Sequence, residues 1–225
     1  MNQIIIDNRH KIDTACQLCF RALEKYSKAM DVFQEEKHKI EAQPYVQKEQ
    51  ERLIAQAEEK LHKTVSPYCV QIKNAVAAIR DASGEMAEQL DIGEELQNAL
   101  SVVKALGDKM PANIGTDLAE MFKGQRNALL MLKAAFSAAG IYTATAVFDE
   151  LIANASRNLI ELEAQTDRLA ESTGTDMLAA YRLGQALEAF AESMGVDLTQ
   201  HFGDIVFDVE KMRTAATRAA MGLPV

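Results

Sequence analysis

From residue 12 to residue 40, apolar side chains recur at alternating steps of four and three. The positions are Ile12, Cys16, Cys19, Leu23, Tyr26, Met30, Phe33, Lys37 and Ile40, of which only Lys37 is not apolar. A sustained 3.5-residue period keeps one seam of a helix turned toward a partner along its whole length. Ala15, Ala22 and Ala29 lie beside the seam, where small side chains let a neighbouring backbone come close. Asp7 or Asn8 is placed to cap this helix. Gln43-Pro44 is placed to end it, because the residue before proline avoids helical geometry and proline suits a following first turn.

A second pattern runs through Ile54, Ala57, Leu61, Val65, Tyr68, Ile72, Val76, Ile79, Ala82, Met86 and Leu90. Its period is that of a straight amphipathic helix, with a kink or a break predicted at Pro67. The two helices are predicted to form an antiparallel, coiled-coil-like hairpin. At 1.5 Å per residue, such an arm is about 50 Å long. Beyond it, shorter helical patterns are separated by glycine. Asp91 with Glu94 suggests a cap for a helix ending near Gly107. Pro111–Gly115 reads as a loop, and Leu118, Met121, Phe122, Leu129, Leu132 and Phe136 as one helix stopping at Gly140. Val147 to Leu169 carries the next helix, which stops near Gly174. Thr175 starts another, which carries Tyr181, Leu187, Phe190 and Met194 and ends at Gly195. Phe202, Ile205, Val209, Met212 and Ala216 mark the last. The predicted fold is all-α, with a hairpin arm over residues 1–83 followed by an acidic multi-helix bundle over residues 84–225. The boundary at Ser83-Gly84 is soft enough to allow one shared core.

Composition agrees with this reading. Apolar residues make up 48% of the 225, enough to bury a core, and there are only 4 Pro and 11 Gly. The net charge of −9 disfavours nucleic acid as the main partner. It is unevenly spread. Residues 1–80 hold 13 basic and 11 acidic side chains, whereas residues 81–225 hold 11 and 22. Opposed halves suit head-to-tail association, although a solvated acidic surface is the commoner meaning. Three cysteines without secreted-type spacing, and a start without a signal-peptide pattern, point to a reducing, cytoplasmic setting.

The cysteines are the strongest chemical lead. If the hairpin turns at Pro44, Cys19 and Cys69 lie level, and Cys16 is one turn from Cys19. Three converging thiols could hold zinc or form a Cys19–Cys69 disulfide. Packing as small hydrophobes is the preferred reading, because Cys16 and Cys19 sit on the seam. Glu35/His38 and Glu59/His62 match the Glu-x-x-His pairs of di-iron bundles. Counting from the tip, however, leaves them about twelve residues, or roughly 18 Å, out of step. His201 and Asp204, one turn apart, suit a surface or capping role better than catalysis. Lys37, Lys39, Lys48 and Arg52 gather at the hairpin tip, but interleaved glutamates cancel their field. No Gly-rich phosphate loop is present. Ala128–Phe148 contains one charge, Lys133, in 21 residues, a length that could span a bilayer. Gly140, Tyr142, Thr143 and Thr145 instead read as a helix end and a new start.

These features favour a non-enzymatic, cofactor-free structural or assembly protein. Its seam residues Ile12, Cys16, Cys19, Leu23, Tyr26, Met30, Phe33 and Ile40 would bind another chain, either a second copy or a component of a larger assembly. Small helical proteins of tailed-phage particles and their scaffolds share this general character, without a motif in common. The alternatives are a membrane-active protein that inserts 128–148, and a thiol redox or metal-binding protein acting through Cys16, Cys19 and Cys69.

Overall fold

In the computed structural model, which describes residues 3–142, 145–172, 176–196 and 198, the chain is all-α. Its helices are α1 (Gln3–Glu41), α2 (Gln47–Glu88), α3 (Glu94–Leu106), α4 (Ala112–Met121), α5 (Arg126–Ala138), α6 (Thr145–Glu171) and α7 (Met177–Ser193), with a 3-10 turn at Gly107–Lys109 between α3 and α4. The last predicted helix, with His201 and Asp204, lies outside the described residues, as do the expected stop at Gly174 and start at Thr175.

α1 and α2 form the predicted antiparallel hairpin, and both are longer than the patterns suggested. α1 has 39 residues and α2 has 42, about 60 Å each at 1.5 Å per residue. Because α1 already begins at Gln3, Asp7 and Asn8 lie inside it and do not cap it. α2 begins three residues after Pro44, with the Glu49 and Gln50 amides donating to the Val46 carbonyl at 2.8 and 3.1 Å. Pro67 does not break α2. Its ring faces solvent, and the buried stripe on either side holds the helix through the lost backbone bond.

The later helices depart from the sequence reading in three places. α3 starts after Gly93, with no side-chain cap. Residues 112–115 belong to α4 and not to a loop. The single helix predicted across Leu118–Phe136 is two, α4 and α5, divided at Gly124, whose φ of +75° favours glycine. Phe122 and Leu129 are seven residues apart, two helical turns, so the apolar phase survives the break and conceals it. The ends at Gly107, Gly140 and Gly195 occur as expected, each with positive φ. Asp176 caps α7, its Oδ1 accepting from the amides of Leu178 and Ala179 at 2.9 and 3.1 Å.

The described residues group into two compact units, each drawing on both ends of the chain. One takes residues 3–15, 78–160 and 189–198, and the other takes 16–77 and 161–188. Ser83-Gly84 falls inside α2. The core of the first unit is built on Leu96, Val103, Phe122, Leu129, Leu132, Phe136 and Phe148, with the Phe136 and Phe148 rings meeting edge to face at 5.0 Å. The second unit buries the seam of α1 from Cys16 to Phe33, the stripe of α2 from Ala57 to Val76, Leu162 and Leu169 of α6, and Leu183 and Leu187 of α7.

Candidate functional site

The seam is core. From Ile12 to Phe33, every seam side chain is between 0 and 5% exposed. Ile40, near the tip, is half-buried. Most of the residues predicted to receive a partner are therefore already covered by this chain's own helices.

Among the described residues, the three thiols form no group able to hold a metal ion. Cys19 donates its S–H to the Ile72 carbonyl at 3.8 Å, three residues beyond Cys69. Cys69 is half-buried and lies by the Tyr26 hydroxyl, with Ser172 and Asp176 also nearby. Helical side chains tilt toward their own N-terminus. In an antiparallel pair, this makes contacting residues lie farther from the tip than a level count gives. The pairs Lys11–Glu85 at 3.5 Å and Glu36–Lys60 at 3.3 Å follow the same displacement. Burial pushes the Cys19 thiol far above its ordinary range, with nearby Cys16 adding to the effect, so it is held protonated. Burial also raises Cys69. All three cysteines are free thiols.

The same displacement brings Glu35/His38 and Glu59/His62 closer to level than the tip count allowed. All four side chains are exposed, and Glu59 is paired with Lys63 at 2.6 Å. Among the described residues, no three His, Cys, Asp or Glu side chains are arranged to hold a metal ion. At the hairpin tip, Arg52 pairs with Glu49 at 2.6 Å and Lys37 with Glu41 at 4.0 Å. Tyr45 and Val46, between the two long helices, are 41% and 78% exposed. The apolar stretch 128–148 is divided between α5 and α6, and no described helix is long and apolar enough to cross a membrane.

A pocket that the sequence reading missed lies within the first unit. It has a volume of about 280 Å³ and is walled by α2, α5, α6 and α7, with Gly124 at one side. Its apolar lining includes Leu129, Leu151, Leu159, Phe190 and Met194, and its charged lining among the described residues is Arg80 and Arg126, with no acidic side chain among them. Arg80, Gly84, Arg126 and Ser156 are exposed, so the pocket opens to solvent on that side.

Hydrogen bonds to backbone carbonyls fix the walls. Asn127 Nδ2 donates to the carbonyls of Glu88 and Gln89, both at 3.2 Å, and ties the start of α5 to the end of α2. Asn158 Nδ2 donates to the Ala189 carbonyl at 2.9 Å and ties α6 to α7. Arg9 Nη2 donates to the Lys123 carbonyl at 3.0 Å, next to Gly124. Burial lowers the pKa of this guanidinium, and the charge of Glu95 partly opposes the shift. The sequence signal for the pocket was slight, consisting of Gly84 inside a helical pattern beside Ser83 and one turn from Ala87.

No family model, curated protein or solved structure matches the chain.

Proposed function

We propose that this is a non-enzymatic helical assembly protein, which associates with a second copy of itself or a component of a larger assembly through the tip of its hairpin. The supporting observation is the pair Tyr45 and Val46, presented to solvent at the turn between helices of 39 and 42 residues. An exposed tyrosine is a common anchor for a protein partner, and Val46 beside it widens the apolar patch. The tip charges are largely paired within their own helices, which leaves little net field for a polyanion. The α1 seam serves the fold, because the chain's own helices bury it.

The test is the absolute mass in solution, by size exclusion with light scattering over a concentration series. A defined oligomer above the 24.8 kDa of one chain is expected. Val46→Glu should return it to a single chain and, at dilutions where the parent is also a single chain, melt at the same temperature, because this side chain is not part of the core. A mass that stays at one chain throughout the series overturns self-association.

A further inference from the structure

We infer that the pocket between α2, α5, α6 and α7 binds a single-chain amphipathic anion, specifically a free medium-chain fatty acid. Three observations carry this inference. The lining is apolar, so an aliphatic tail is the part of a ligand it would desolvate. Among the described residues, the charged ones that line it are Arg80 and Arg126, with no carboxylate beside them in the lining, in a chain whose net charge is −9. Guanidinium forks match a carboxylate in geometry and charge. Arg80 is steadied by Asp81, which accepts from its Nε at 3.2 Å.

The third observation is Gly84. It stands in the interior of α2, where glycine is among the least favourable residues. A Cβ built there meets nothing within 4 Å. Neither close packing nor positive φ requires glycine at this position. Together with Ser83 and Ala87 it keeps the α2 wall low, and the space a larger side chain would take stays part of the pocket. At about 280 Å³ the pocket lies at the small end of the range for small-molecule sites, which suits one short tail. It is too small for a two-chain lipid.

The test is calorimetric titration of the full chain with decanoate below its micelle concentration, with decanol and decyltrimethylammonium as neutral and cationic comparisons. Decanoate should bind saturably at one per chain, with decanol at least tenfold weaker and the cation weaker still. The double variant Arg80→Gln, Arg126→Gln should weaken decanoate at least tenfold and leave decanol unchanged. Gly84→Leu should abolish binding of both while melting no lower than the parent chain. The charge variants alter exposed side chains, so they keep the test decisive even if Gly84→Leu does not fold. No saturable decanoate binding, decanol binding as tightly as decanoate, indifference to the arginine substitutions, or a folded Gly84→Leu that still binds would each overturn the inference.

Discussion

Phe33→Ala distinguishes a seam that builds the fold from a seam that binds another chain. Phe33 is 5% exposed, so the chain itself buries nearly all of its ring. A phenylalanine buries about 200 Å², worth about 5 kcal/mol at 25 cal/mol per Å². The denatured chain already hides some 10–40% of that area, which leaves about 3–4.5 kcal/mol. That agrees with the roughly 3–5 kcal/mol seen when core aromatics are cut to alanine. For a chain of this size, each kcal/mol moves the melting temperature by about 2–4 °C, so a fall of roughly 6–18 °C is expected. The assay is thermal and urea unfolding followed by far-UV circular dichroism, with light scattering on the same samples. Val32→Ala is the control. Val32 is exposed, and its truncation should stay within about 0.5 kcal/mol. A Phe33→Ala protein that melts with the parent chain but falls apart to single chains would refute the reasoning, because the seam would then be closed by another molecule.

Two further predictions concern α2 and the thiols. Pro67 interrupts the bonding of a continuous helix from its exposed face, so Pro67→Ala should stabilise the protein by about 2 kcal/mol, less the fraction lost through a freer denatured chain, as read from the urea midpoint; a lower midpoint would show that proline is required there. In the native protein at mildly alkaline pH, iodoacetamide should modify half-buried Cys69 first and reach Cys16 and Cys19 only on unfolding, as read by mass spectrometry of digests. Because burial raises the Cys19 and Cys69 thiols and Tyr26, the folded state holds these protons more tightly than the unfolded one, and stability should fall as pH climbs through the unfolded thiol value of about 8.5 and beyond.

What could be read from the sequence was whatever periodicity controls. Apolar spacing placed α1, α2, α6 and α7, because a stripe of buried side chains at helical period leaves little other choice of conformation. It failed where phase carries no information. The seven residues from Phe122 to Leu129 hold the stripe in register whether or not Gly124 reverses the chain between them. The level count across the hairpin failed for a different reason. It compared backbone heights, whereas pairs such as Lys11–Glu85 and Glu36–Lys60 meet through side chains that lean in opposite directions along the two helices. The pocket was hidden because its lining comes from short pieces of four helices, spaced along the chain from Arg80 to Met194. None of these pieces has an unusual pattern of its own, apart from a glycine in mid-helix.

The seam shows the same limit more sharply, and there it changes the functional argument. A heptad stripe specifies the geometry of a neighbour and is silent about whether that neighbour lies on the same chain. That depends on how much complementary apolar surface the rest of the chain supplies. Here α2 offers Leu61, Val65, Ile72 and Val76, while α6 and α7 add Leu162, Leu169, Leu183 and Leu187 to the same unit. With that supply, the seam from Cys16 to Phe33 is closed almost completely. A second chain docking there would have to displace contacts already made, so it would gain little net burial. Under the proposed assembly role, association would draw on side chains the fold leaves uncovered, and at the turn of the hairpin those are Tyr45 and Val46.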